Sequence, residues 1–265
     1  IAAFHIQPEN ITYNIGLKWF PPAAHLIYFL FYLLFFRRFK HIHCPSKFIA
    51  AQLRSHGYKA RLHVISNGVH PAFCPSVKPR EHNSDVIKLL MVGRLSPEKR
   101  QDILIRAVKK SRYANRIQIY FAGSGPWENK LRRMGRKLPN PPVFGYYSRS
   151  DLIKLINDCD LYVHTSDVEI EGISCIEAIT CGLVPVISDS KRSAATQFAL
   201  GPEHLFKAGS PRSLAEKIDY WLDNPQQLKE AEQKYVRLGK QYALENSIRK
   251  IEKVYLSMSK KENNE

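Results

Sequence analysis

With 265 residues and 44% hydrophobic content, the chain fits a soluble globular protein with one large or two smaller cores. Its 40 basic against 24 acidic residues leave a net charge of +16, which suits anionic membranes or phosphorylated ligands and is silent on fold. The five cysteines are odd in number and lack a Cys-x-x-Cys spacing, which argues against a disulfide frame or a zinc site and for small core residues in a reducing compartment.

The first four residues read as the end of a buried strand, followed by His5-Ile6-Gln7-Pro8-Glu9-Asn10. Because the chain opens on Ile already inside a sheet, it is expected to be a fragment lacking the earlier part of its first domain. Residues 26–36 are eleven apolar residues closed by Arg37, Arg38 and Lys40. As a helix this run is roughly 17 Å long, too short for the ~30 Å hydrocarbon core of a bilayer. Two readings stay open. A helix apolar all round is normally buried. Alternatively, one face packs on the domain while the aromatics and the basic flank, with Lys18, Trp19 and Phe20 upstream, sit in an anionic membrane surface. Residues 41–44 and 62–65 read as strands around a helix capped by Ser46, and 71–85 as a linker.

From residue 86 onward strands alternate with helices, the pattern of a right-handed parallel sheet. Residues 86–92 form an apolar strand that runs into Gly93-Arg94-Leu95-Ser96-Pro97-Glu98-Lys99. Gly93 allows a sharp turn and Pro97 suits a first helical turn. Arg94 and Lys99 are expected to point over the mouth of the sheet, where arginine offers phosphate a fork and lysine a point charge. Residues 117–122 are a second strand, ending in Gly123-Ser124-Gly125-Pro126. Trp127-Glu128 replaces the rest of a dinucleotide fingerprint, so a nicotinamide or flavin reading lacks support. Val143-Phe144-Gly145 opens the next loop, with Phe144 bordering the base while belonging to the core. Asp158-Cys159-Asp160 has the look of a metal motif, but it spans a helix end and a strand start, so those side chains are expected to diverge or cap.

Residues 160–164 are a buried strand, and the helix behind them stops at Gly182 before a further apolar strand. The loop between carries Glu169, eight positions before Glu177. Free backbone N–H groups near Gly172 and Ile173 favour a phosphate at that helix N-terminus. Glu169 sits at the mouth, where it can accept bonds from sugar hydroxyls. Glu177, about one turn into the helix, can reach the hydroxyls of a ribose. Together they suggest a sugar nucleotide.

This block resembles the Glu-x7-Glu motif of the retaining glycosyltransferases of family 4, which have the GT-B fold. The chain keeps both glutamates, Gly172, Ala178, Cys181-Gly182 and Pro185-Val186, and departs at Ile170 and Glu171. Added acidity at Glu171 is expected to bear on donor choice. Gly93-Arg94-Leu95, a spacer and Glu98-Lys99 resemble the family's donor-diphosphate motif, with Arg100 where the family often has Gly. The resemblance implies an α/β protein with a Rossmann-like parallel-sheet C-terminal domain and the truncated end of an N-terminal Rossmann-like domain. Residues 1–75 would be the acceptor-side part, 76–230 the donor domain and 231–265 a helix returning to brace the first domain, with Ile248, Ile251, Val254 and Tyr255 on one stripe. It further implies a hexosyltransferase in which Arg94 and Lys99 hold the donor diphosphate, Glu169 orients the sugar, Glu177 holds the ribose, and Gly123 and Gly125 line the donor pocket with backbone. His5 matches a histidine that faces the sugar. The tail Gln7-Pro8-Glu9-Asn10 resembles members acting on membrane lipids such as diacylglycerol or sterols. Expected partners are thus a UDP-sugar (UDP-glucose by family habit), a lipid acceptor and an anionic membrane surface, with no cofactor and no metal. The expected location is cytoplasmic, on the inner face of the membrane. A capsule or lipopolysaccharide glycan is the alternative acceptor. Nucleic-acid binding is not expected, because the charge is spread along the chain without the aromatic-basic signature of an RNA fold.

Overall fold

The structure, a computed structural model, describes residues 1–17, 19–78, 80 and 85–262, with side chains through Ser259. Two parallel sheets organise it. In the first, β1 (Ala2–Ala3), β2 (His41–Cys44) and β3 (Arg61–Val64) lie side by side in that order, Ala2 opposite Ile42 and Ile42 opposite Leu62. Alternation along β2 turns Ile42 and Cys44 into the core and His41 and His43 to the other face. Helices α2 (Pro21–Leu34) and α3 (Lys47–Ser55) bury Tyr28, Ile49 and Leu53 in the core of this sheet, and α1 (Pro8–Asn14) packs on α2 and on the turn over residues 97–99. The Ser46 side chain caps α3 by accepting from Ile49 N–H as expected.

The apolar run 26–36 does not match one helix. Helix α2 begins earlier, with Pro21 in its first turn, and ends at Leu34, after which Phe36–Arg38 form a short 3-10 turn. The helix is buried on one face and not all round. Tyr28 is fully buried and stacks on Phe4 with ring centroids 6.1 Å apart, and Phe31 also packs on Phe4. The opposite face leaves Leu26 56%, Phe29 55% and Leu34 65% exposed, with Trp19 and Phe20 exposed just upstream. Lys18 lies outside the described residues.

The second sheet contains β4 (Ile87–Val92), β5 (Ile117–Ala122), β6 (Val143–Gly145), β7 (Leu161–His164), β8 (Pro185–Ser188) and β9 (Leu205–Phe206). Their order is β6-β5-β4-β7-β8-β9, every pair parallel. All four residues of β7 and of β8 are buried, as in parallel strands covered by helices on both faces. The accompanying helices are α4 (Gln101–Val108), α5 (Glu128–Gly135), α6 (Arg149–Asp158), α7 (Ile173–Thr180), α8 (Pro211–Asp223) and α9 (Pro225–Lys240). The chain builds outward from β4 to β6 and then returns to β7 on the other side of β4. Ligands of open parallel sheets bind in the crevice that such a reversal opens beyond the strand C-termini.

The chain crosses between the two sheets twice, side by side. Val69 N–H donates to Tyr242 O at 2.8 Å and Leu244 N–H to Val69 O at 3.0 Å. The boundary expected at residue 230 therefore needs correction. It falls inside α9, whose Leu228, Ala231 and Tyr235 belong to the second core, and the return crossing lies at 242–244. Helix α10 (Leu244–Glu262) follows, and its first turn packs on Gly68. The expected stripe is not buried along its length, since Ile248 is 52% and Tyr255 53% exposed. Residues 263–265 lie outside the described residues.

Candidate active site at the sheet reversal

The site grows from the ends of β4 and β7, the two strands that flank the reversal. After β4 the backbone turns at Gly93, with φ 147°, and a short 3-10 turn over Pro97–Lys99 brings Lys99 back over it. A Cβ on Gly93 would touch Lys99 Cε at 3.8 Å, so the lysine stem lies along the glycine. Thr165, just past β7, fixes the lysine backbone by donating from Oγ1 to Lys99 O at 2.7 Å. From there Lys99 Nζ donates to Glu169 Oε2 at 2.6 Å, both side chains being largely shielded from solvent.

His164, at the last position of β7 and 1% exposed, places Nε2 3.5 Å from the same carboxylate oxygen. Burial alone would raise the Glu169 pKa, but the Lys99 charge and the His164 contact outweigh it and hold the carboxyl at about 2. Its backbone is pinned as well, with Glu169 N–H donating to Arg192 O at 3.3 Å and Ala194 N–H to Glu169 O at 2.8 Å.

Arg94 only partly meets the expectation of pointing over the mouth. Its side chain is 58% exposed, but Nη2 donates to Glu98 Oε1 at 2.7 Å, an oxygen that also accepts from Ser96 Oγ at 2.6 Å. Burial would raise the Glu98 pKa, and these bonds lower it below the usual carboxylate value. Arg100, where a glycine is common in the family, takes up a left-handed backbone with φ 55°, alone among the described non-glycine residues. That conformation explains why α4 starts only at Gln101. Arg100 Nε pairs with Asp102 at 3.1 Å.

Gly123 and Gly125 serve a close approach of two loops. A Cβ on Gly123 would lie 2.2 Å from Gly93 O, and one on Gly125 would lie 2.4 Å from Leu95 O. Glycine is therefore required for the turn after β5 to seat on the turn after β4. Phe144 is half-buried in the sheet, 5.1 Å from the Phe121 ring, with the Arg132 guanidinium 4.4 Å over its own ring. Gly172 starts α7 in a left-handed conformation, φ 92°, with no side chain capping the helix, and Ile173 is exposed beside it. Glu177, one turn further, is half-buried, and its carboxylate makes no hydrogen bond to the described residues. Burial raises its pKa to about 7, with the Arg149 charge pulling the other way.

His5 is exposed, its ring 5.4 Å from that of His43, and burial and His43 lower its pKa. Two residues on, fully buried Gln7 donates from Nε2 to Arg192 O at 3.0 Å, the carbonyl that also receives Glu169 N–H. His5 thus stands on the loop that meets the Glu169 segment across the cleft. Asp158 and Asp160 lie at the opposite edge of the sheet, before β7. Asp158 accepts from Lys88 Nζ and Asp160 from Lys88 N–H, each at 2.7 Å. Among the described residues no cluster of three acidic, histidine or cysteine side chains is arranged for a metal.

Sequence reasoning missed His164, Asp167 and Tyr13. Asp167 accepts from Tyr13 Oη at 3.1 Å and Arg192 Nη2 at 2.9 Å, joining the first sheet's helices to the site loop. A signal existed for His164, a histidine closing an apolar strand directly before the acidic loop. Glu171, expected to bear on donor choice, turns away to residues 66 and 67 instead.

Comparison with known proteins bears on the same residues. The family model for glycosyl transferases group 1 matches residues 76–241, more than half of the chain, and that for glycosyltransferase family 4 matches residues 3–73. The alpha-monoglucosyldiacylglycerol synthase of Streptococcus pneumoniae is 23% identical over 207 residues, covering 71% of this chain and 45% of that protein. The chain thus spans under half the length of that curated relative. The crystallised catalytic domain of cholesterol-alpha-glucosyltransferase from Helicobacter pylori is 39% identical, covering 59% of this chain and 99% of that one, with a TM-score of 0.58. HepE from Anabaena in complex with UDP-glucose, 19% identical, covers 96% of this chain and 71% of its own with a TM-score of 0.79, a likeness of fold.

Proposed function

The chain belongs to the group 1 glycosyl transferases and has the GT-B fold, and on that premise we propose that it transfers a hexose, glucose foremost, from a UDP-sugar to a membrane-lipid hydroxyl with retention of anomeric configuration. The observation that carries this reading is the Lys99–Glu169 contact at the sheet reversal, beside the uncapped start of α7. Breaking the glycosidic bond puts negative charge on the departing diphosphate. Lys99, the exposed Arg94 and the amides at Gly172–Ile173 form a preorganised set of donors for that charge. On donor binding Lys99 would be shared with the diphosphate, freeing a Glu169 oxygen for the sugar hydroxyls. A carboxylate with a pKa of about 2 is fully ionised and serves as an acceptor.

Glu177 would hold the ribose and His5 would face the sugar from the other domain. The acceptor hydroxyl would attack from the face the diphosphate leaves. Cationic side chains and amides meet the leaving-group charge, so the reading calls for no metal.

Glucose and a lipid acceptor rest on the likeness to the sterol glucosyltransferase domain and the diacylglycerol synthase. The outer face of α2, with Trp19, Phe20, Arg37 and Arg38, has the chemistry to lie in an anionic headgroup layer, which would place the protein peripherally on the inner leaflet. Among the described residues no helix is long and apolar enough to cross a membrane. Calorimetric titration with a panel of sugar nucleotides, followed by mass spectrometry of products on liposomes carrying sterol or diacylglycerol, tests the proposal. UDP-glucose is expected to bind and to glucosylate one of these lipids. No binding of any uridine nucleotide would overturn it.

A further inference from the structure

We propose that Glu171 is a positioning residue, which straps the sugar-binding loop to the interdomain crossing and so sets the placement of Glu169 during transfer. This inference rests on the function proposed above. Glu171 is 3% exposed, and its carboxylate accepts from Ser66 Oγ, from Asn67 N–H at 3.1 Å and from Asn67 Nδ2 at 2.6 Å. Every one of those donors belongs to residues 66–67, directly before the point where the chain crosses to the second sheet. The loop is tied to the first domain at the neighbouring residue too. Ile170 O accepts from Ser46 Oγ at 2.6 Å, and the Ile170 side chain packs against the first core.

Two residues of the loop that bears Glu169 are therefore held by the opposite domain, while Glu169 itself is held by Lys99 of its own domain. Burying a carboxylate without a cation among its partners is costly unless its oxygens are filled by donors. Here both are filled, from across the cleft. That arrangement gives the loop one position when the domains are together and releases it when they part. Since the Glu171 carboxylate bonds to residues 66 and 67 and to neither Lys99 nor Glu177, it acts through the placement of Glu169, and its loss should appear in turnover more than in nucleotide affinity.

The test compares Glu171→Ala and Glu171→Gln in the full-length enzyme, measuring kcat and KM for lipid glucosylation and UDP affinity by calorimetry. Glu171→Ala is expected to lower kcat at least about tenfold, since misplacing a reacting group by ~1 Å can cost ~100-fold, with the Kd for UDP within about threefold of wild type. Glu171→Gln keeps an acceptor for Asn67 and is expected to recover most of the loss. Should Glu171→Ala fail to fold, Asn67→Ala cuts the strap from the other side and should show the same split. Wild-type kcat in the alanine variant that folds would overturn the proposal, as would equal losses of UDP affinity and kcat. If the wild-type enzyme transfers no sugar, the functional reading fails by itself. The strap is then judged by solution scattering, where Glu171→Ala must raise the radius of gyration of the UDP-free protein.

Discussion

Two glutamates eight residues apart are tuned in opposite directions by what surrounds them. Glu169 has a lysine and a histidine against it and is held at about 2, whereas Glu177 has only the more distant Arg149 and rises to about 7. For Glu169 the depressed pKa means stability that is present above the ordinary value of 4.5 and is lost as pH falls from there toward 2. For Glu177 the sign reverses, because the folded chain holds the proton that the unfolded chain has released, so its contribution declines as pH rises from 4.5 to about 7. A ribose hydroxyl donates best to an ionised carboxylate. UDP affinity should therefore strengthen between pH 6 and 8, and Glu177→Gln should flatten that rise to the part owed to the phosphate's own titration, as calorimetry at several pH values would show. Lys99→Ala removes both the diphosphate's point charge and the partner of Glu169. It should cut transfer by ~100-fold or more while the chain stays folded, checked by initial rates beside circular dichroism. Wild-type rates in that variant would remove Lys99 from the mechanism.

At the level of elements, apolar runs told the strands plainly. Residues 86–92, 117–122 and 160–164 became β4, β5 and β7 within a residue or two, because a parallel strand buried on both faces leaves no polar position to blur it. Helix α2 was less legible, since an all-apolar run fixes no face. The packing of Phe4 and His56 against Tyr28 on one side separates it from the exposed Leu34. Glu169 and Lys99 were readable as a pair of motifs, yet their contact was not, being set by how Gly93, Gly123 and Gly125 let two turns touch. Nor did local pattern reveal that Arg100 would sit left-handed or that Glu171 would face another domain, because both depend on residues remote in sequence or on backbone geometry. Helix α2 offers its own test. Replacing Leu30 and Leu34 with Glu on the outer face should change stability by under about 1 kcal/mol, since both are already partly in water, but should abolish flotation with anionic liposomes. Tyr28→Ala on the inner face should instead cost about 3–5 kcal/mol in denaturant unfolding. Flotation undiminished by the two glutamates would detach α2 from the membrane reading.

Across the whole molecule, two cores are joined by a pair of strands of chain bonded to each other at Val69, Tyr242 and Leu244. A double crossing of this kind resists twisting while allowing bending, since motion must work through both segments together. Gly68 is the tightest point in it. Its φ of 76° disfavours any side chain, and a Cβ there would lie 2.7 Å from Leu244 Cα and 3.0 Å from Ser247 Oγ. Backbone atoms cannot swing aside as a flexible side chain does, so Gly68→Ala must shift the start of α10 or distort the crossing. A left-handed non-glycine residue costs ~1–3 kcal/mol before that clash is counted. The midpoint of thermal unfolding should fall by about 4 °C or more, at ~2–4 °C per kcal/mol for a chain of this size. The displacement should also propagate to Asn67, one residue away and a donor to Glu171. Kcat should therefore fall further than the stability loss explains at a temperature where the variant remains folded. Equal Tm and equal turnover in Gly68→Ala would mean that the two crossings move independently, and that the hinge carries no information to the sugar-binding loop.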